Sequence, residues 1–308
     1  MIHTNAYNDI LALETIIMDG GMGQELLRQS GNKPTPLWST EILLNNLDLV
    51  TKVHLDFIKS GARIITLNSY TCTPERIARD FDISQFENLQ NKAIQAAQNA
   101  RQQAADEFGI KNVAIAGCLP PLVASYHPDT CPDLENAIAS YKKIAEIQAP
   151  HVDFFLCETL SSIHEANAAI SAAKTVNLPI WVSFKISDTE KNTLPSTELF
   201  SDAIDFLNTQ NISAALINCT APEIISDNLE ILKKFNGAKG IYPNNFKNTT
   251  DLKIGGTVDA LSARTDFSTD KYVHFMHDMK KHDIHILGGC CEIGPDRIKA
   301  LSELFYPS

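Results

Sequence analysis

The sequence predicts an α/β chain folded as a single closed (β/α)8 barrel, and three observations carry that reading. Short β-rich apolar runs recur eight times, amphipathic helical stretches lie between them, and no GxGxxG opens a helix after the first run. Strands buried on both faces and alternating with helices form parallel sheets with right-handed crossovers. Eight such units in 308 residues suit one barrel domain, residues 1–308, better than an open doubly wound sheet.

Taken in order, the runs are TIIMD (15–19), RIITLN (63–68), VAIAGC (113–118), DFFLCE (153–158), PIWVSF (179–184), AALINC (214–219), KGIYP (239–243) and IHILGG (284–289). After the first run, Leu47, Val50, Val53, Phe57 and Ile58 make one apolar helical face that should stop at Gly61, a good C-terminal cap. Ala-rich stretches at 91–106 and 164–174 have high helix propensity. Segments 197–208, 223–235 and 269–281 repeat the helical period.

Composition narrows the function. The apolar fraction of 44% with 20% charged residues is ordinary for a soluble protein with a sizeable core. A net charge of −11 without a basic block argues against nucleic acid or an anionic membrane as partner. The polar start MIHTNAYNDI lacks the apolar centre of a signal peptide, and no run of apolar residues is long enough to span a bilayer. A cytoplasmic location is expected, and the seven cysteines are then core fillers, metal ligands or nucleophiles rather than disulfides. The sequence leaves the oligomeric state open.

In such barrels the chemistry sits where strands end. Those ends here read Asp19-Gly20-Gly21, Asn68-Ser69-Tyr70, Gly117-Cys118, Cys157-Glu158-Thr159, Asn218-Cys219, Tyr242 and Gly289-Cys290-Cys291. Carboxylates, thiols and tyrosines are poor core residues, so a shared pocket is expected. Cys219, Cys290 and Cys291 supply three sulfurs, the number that a catalytic zinc site takes when its fourth position stays open. Adjacent cysteines on a regular strand would point to opposite faces, but Gly288 and Gly289 permit an irregular turn that aims both at one ion. Zinc deprotonates a bound thiol that is otherwise mostly protonated at neutral pH. Three thiolate ligands weaken zinc as a Lewis acid toward water and favour activation of a substrate thiol. The same residues also fit three buried free cysteines, or a redox-active vicinal dithiol at Cys290-Cys291 without methyl transfer.

The motifs MDGGMGQEL (18–26), LWS (37–39), NSYTCTPE (68–75), CET (157–159), INCTAPE (217–223) and GGCCEIGPDRI (288–298) are collinear and span nearly the whole chain. Together they resemble the homocysteine S-methyltransferases, and INC paired with GGCC at this separation is the most specific part. The resemblance implies a Zn2+-containing barrel with Cys219, Cys290 and Cys291 as ligands. Homocysteine would be the small-molecule acceptor, methionine the product, and a sulfonium such as S-methylmethionine or S-adenosylmethionine the donor. It further implies that Glu158, helped by Asp19, pairs with the substrate ammonium. Backbone N–H groups around Gly20 and Gly21 would hold its carboxylate, Tyr70 would lie near the metal, and Trp38 would border the donor. A different thiol or a selenol is an alternative acceptor.

Two departures from the usual motifs bear on the donor: Glu292-Ile293 follow the cysteine pair, and Leu160-Ser161 follow Glu158-Thr159. Two other patterns look functional and are read as incidental. Asp283-Ile-His285-Ile-Leu-Gly288 fits a cobalamin signature but runs through the eighth strand, and His274 and His277 share an ordinary helix face.

Overall fold

The computed structural model of the chain describes residues 4–31, 39–257 and 260–306. Eight strands, β1 (Ile16–Ile17), β2 (Ile64–Thr66), β3 (Ala114–Leu119), β4 (Phe154–Leu160), β5 (Ile180–Phe184), β6 (Ala214–Asn218), β7 (Ala238–Tyr242) and β8 (Ile286–Leu287), form one parallel sheet. Its order is β1-β8-β7-β6-β5-β4-β3-β2. The two ends meet at a parallel bridge between Met18 and Ile64, where Asp19 N–H bonds Ile64 O at 2.9 Å. The barrel is thereby closed, and each strand overlaps its predicted run.

Among the described residues thirteen α-helices accompany the strands. The first four are α1 (Thr4–Leu11), α2 (Met22–Ser30), α3 (Thr40–Asn45) and α4 (Leu47–Lys59). Then come α5 (Pro74–Asp80), α6 (Phe86–Phe108), α7 (Leu134–Gln148), α8 (Ile163–Ala173) and α9 (Phe200–Asn208). The last are α10 (Pro222–Asp227), α11 (Leu229–Leu232), α12 (Thr269–Lys280) and α13 (Pro295–Phe305). No described helix is long and apolar enough to cross a membrane.

Helix α4 follows its sequence signals closely. Asn46 caps its start by accepting from Leu49 N–H at 3.1 Å, and Val50, Val53, Phe57 and Ile58 are fully buried. Gly61 ends it at φ +106°, a conformation in which an added Cβ would also strike Ser302. The predicted helix over 223–235 is instead two short ones, broken at Asn228. Its side-chain amide donates to Ile224 O at 2.9 Å, a local bond that competes with continuation of the helix.

Two shells of apolar side chains account for the runs being buried on both faces. Along β4 the chain alternates: Phe154 and Leu156 fill the barrel interior, while Phe155 and Cys157 pack outward under the helices. The interior is dominated by Trp181 and Phe154, their ring centroids 4.4 Å apart, set against the small residues Ala114, Ala116 and Ala214. Helix α1 brings Tyr7 and Ile10 into this same cluster, and the Tyr7 hydroxyl accepts from Trp181 Nε1 at 3.0 Å. The N-terminal end of the barrel is thus plugged, which leaves the opposite end for the site.

Candidate active site and metal centre

The loop after β1 and the loop after β8 pack so closely that only glycine fits between them. A Cβ on Gly20 would lie 2.2 Å from Ile293 O, one on Gly21 2.7 Å from Cys290 O, and one on Gly289 2.2 Å from the Ile293 side chain. The Gly288-Gly289 pair was expected to supply the irregular backbone that aims both sulfurs. Both are crowded, Gly288 against Met18 and Gly289 against Ile293 of the same turn, and the left-handed residue of the turn is Glu292 at φ +66°. Ile293 N–H closes the turn on Cys290 O at 3.1 Å.

That turn delivers Cys290 and Cys291 to the barrel mouth, and Cys219 meets them from the end of β6, itself left-handed at φ +48°. The three Sγ atoms lie within 4.8 Å of one another, and Cys219 and Cys291 are 3.9 Å apart. Tetrahedral zinc with Zn–S bonds of about 2.3 Å separates its sulfurs by about 3.8 Å, so the trio fits such an ion. Among the described residues this is the one cluster with metal-ligand geometry. Cys72, Cys118, Cys131 and Cys157 stand apart from it as free thiols. Hydrogen bonding from Cys290 and Cys291 holds the Cys219 thiol well below its ordinary range, against its burial. The other two are pushed up, Cys290 by its bonds to Cys219 and Cys291, and Cys291 chiefly by Cys219. Without a cation the trio therefore favours one thiolate, and a divalent ion would let all three ionise.

The two carboxylates face the same cleft. Burial raises Asp19 to about 8, although Thr66 N–H donates to its Oδ2 at 2.8 Å. Burial likewise raises Glu158 to about 7, and Cys118 Sγ donates to its Oε1 at 3.0 Å. An irregularity in β4 between Cys157 and Leu160, with Thr159 at φ +59°, turns this segment toward the mouth. Asn218 fixes it there. Its Oδ1 accepts from Thr159 N–H at 3.0 Å and Ser183 Oγ at 2.7 Å, and its Nδ2 donates to Thr159 Oγ1 at 2.7 Å. The CET and INC motifs are therefore two halves of one hydrogen-bonded unit.

Asp19, Gly20, Gly21, Tyr70, Glu158 and the three cysteines all line this cleft; Trp38 lies outside the described residues. One detail differs from expectation. Gly21 N–H is spent on Ile293 O at 2.8 Å, so it is not available to a substrate carboxylate. The Tyr70 hydroxyl pairs with Ser125 Oγ at 2.8 Å, with the Arg76 guanidinium 5.3 Å from its ring centroid. The tyrosine in contact with the sulfurs is Tyr126, whose hydroxyl is 2.9 Å from Cys219 Sγ. Sequence reasoning passed over Tyr126 because it sits in a loop beyond β3; its signal was position, since that loop belongs to the catalytic face. Gln24 was missed as well. Its amide lines the cleft beside Cys291, and a second amide there, Asn68, has a buried Nδ2 with no hydrogen-bond partner. Orphaned groups of this kind are costly unless a polar ligand completes them. The two incidental patterns stay apart from the cleft, with His285 paired to Asp283 at 2.8 Å and His274 bonded to Asp270 O.

Comparison with known proteins shows what the chain as a whole is similar to. The chain is 26% identical to homocysteine S-methyltransferase 1 of Arabidopsis thaliana, over 93% of this chain and 92% of that protein. It is also 26% identical to selenocysteine methyltransferase of Astragalus bisulcatus, over 94% of this chain and 91% of that one. The metallated form of the homocysteine methyltransferase MmuM from Escherichia coli has the same fold, with a TM-score of 0.81 at 24% identity, over 97% of this chain and all of that one. The profile of the family described as homocysteine S-methyltransferase matches residues 16–305, and the chain belongs to that methyltransferase family.

Proposed function

We propose that this protein transfers a methyl group from a sulfonium donor, S-methylmethionine or S-adenosylmethionine, to the thiol of homocysteine, with Zn2+ on Cys219, Cys290 and Cys291. The observation that carries the reading is the convergence of three sulfurs and two buried carboxylates on one cleft. A thiol centre alone needs no carboxylates, whereas an amino-acid substrate does. In this reading Asp19 and Glu158 ionise against the substrate ammonium, whose charge offsets the burial that keeps them protonated without it. In the first turn of α2, which borders the cleft beyond Gly21, Met22 N–H is spent on Gly20 O at 2.8 Å, and Gly23 and Gln24 offer N–H groups to the substrate carboxylate.

Zinc, when bound, supplies deprotonation of the acceptor thiol. The sulfur electron pair then forms the new C–S bond as the donor's S–CH3 bond breaks, its electrons returning to a neutral sulfide. The protein's own part is to hold both sulfurs in line and exclude water, so no general base is required. A selenol acceptor is the second reading, favoured by the comparable similarity to the Astragalus enzyme.

The test is a donor screen with freshly reduced, zinc-loaded protein and homocysteine, scoring methionine by mass. Methionine from a sulfonium donor, together with one zinc per chain, is the expected result. Protein that holds zinc yet forms methionine from no donor overturns the proposal.

A further inference from the structure

A second cavity adjoins the cleft, with Tyr126 as a wall common to both. The two differ in charge. Among the described residues the cleft is lined by the carboxylates of Asp19 and Glu158 and by no Lys, Arg or His, whereas the second cavity contains Lys185 and His127 alongside one carboxylate, Asp188, which pairs with Lys185. Lys185 directly follows β5, at the catalytic end of the barrel, and its side chain is only 1% exposed. Its Nζ donates to Ile186 O at 2.7 Å and to Asp188 Oδ1 at 2.5 Å. Asp188 Oδ2 is occupied by Thr249, through N–H at 2.8 Å and the hydroxyl at 2.6 Å.

An ammonium carries three donors, so Lys185 keeps one in reserve beyond its bonds to Ile186 O and Asp188. The Asp188–Thr249 bonds already tie the loop after β5 to the loop after β7. A buried cation adds desolvation cost beyond what that tie requires. The same Nζ lies 5.9 Å from the centroid of Tyr126, whose hydroxyl touches Cys219 on the other side. A ligand anion on Lys185 would therefore leave the rest of its molecule directed past an aromatic ring toward the sulfurs. An aromatic face is also a favourable neighbour for a sulfonium.

Building on the methyl-transfer reading, we propose that the Tyr126-walled cavity is the subsite for the carboxylate end of the methyl donor, with Lys185 as its counter-ion. The donor is then a small sulfonium carboxylate, and a sulfonium lacking a carboxylate is a poor one.

The test is calorimetric binding to the zinc-loaded full-length chain, without acceptor, using S-methylmethionine and the carboxylate-free dimethyl(propyl)sulfonium as probes. The variants are Lys185→Met and the double change Lys185→Gln with Asp188→Asn, which keeps a hydrogen-bonded pair while removing both charges. Wild type should bind S-methylmethionine at least about tenfold more tightly than the other probe, as loss of a charge-assisted hydrogen bond implies. Both variants should erase that margin by weakening S-methylmethionine about tenfold while changing the other probe less than twofold. If Lys185→Met does not fold, the double variant decides. Equal weakening of both probes, unchanged S-methylmethionine binding, or no preference in wild type overturns the subsite. Methionine formation measured on the same samples keeps the two readings separate. Lys185-dependent S-methylmethionine binding without methionine from any donor overturns methyl transfer and leaves the subsite standing.

Discussion

Asp19 should make the metal-free protein less stable as pH rises, and Asp19→Asn should remove that dependence. Burial moves this carboxyl from an ordinary 3.8 to about 8, and the residue is only 6% exposed. A group whose folded value is raised contributes stability that is fully present below its unfolded value and is lost as pH climbs through the folded one. The window is therefore roughly pH 4 to 8. At about 1.4 kcal/mol per pH unit, wild type should lose on the order of 4 kcal/mol relative to Asp19→Asn between pH 5 and pH 8.5. The amide can still accept from Thr66 N–H, so the comparison isolates charge rather than a lost hydrogen bond. Urea unfolding of reduced, metal-free samples of both proteins measures the gap. A gap that stays constant over this range would refute the reasoning, because Asp19 would then be ionised in the empty fold. The substituted protein should also bind homocysteine poorly, since the suppressed charge is the one assigned to the substrate ammonium.

Three further outcomes follow from the geometry. Cys219→Ser should weaken zinc binding at least about 100-fold, read by competition with a chromophoric chelator, because a thiolate ligand is lost from a three-sulfur site; unchanged affinity would remove Cys219 from the ligand set. Gly20→Ala places a Cβ 2.2 Å from a backbone oxygen and should cost about 3 kcal/mol in unfolding experiments, whereas Gly31→Ala, with open space around it, should cost less and only through its left-handed φ. Glu158→Gln should raise the KM for homocysteine about tenfold or more while zinc content stays at wild-type level, as expected for losing a charge-assisted bond to an ammonium; a parallel loss of zinc would make Glu158 a structural support instead.

The strands were legible because both faces of each are buried, which concentrates Ile, Val, Phe and Leu in short runs bounded by polar loops. The thiol centre was legible for the opposite reason, since Cys219 and Cys290-Cys291 interrupt those runs where only loops should begin. What escaped was set by contacts distant in sequence. Tyr126 bonds Cys219 across 93 positions, and no local pattern marks it. Helix α1 plugs the barrel through Tyr7, whose partner Trp181 is 174 residues away. The break at Asn228 was local but invisible to periodicity, because the apolar spacing runs straight through it. The glycines at 288 and 289 were legible as the mark of an irregular turn, whereas the crowding that requires them and the left-handed Glu292 were not.

The bonds of Asn218 have a mechanical corollary. One amide clamps the ends of β4, β5 and β6, and its immediate neighbour in sequence is the first sulfur of the centre. Glu158 and Cys219 are therefore not independently adjustable, and ordering one restrains the other. On the proposed methyl-transfer reading, loading an ion and readying the amino-acid cradle would be a single event, so removing the metal should lower substrate discrimination along with reactivity.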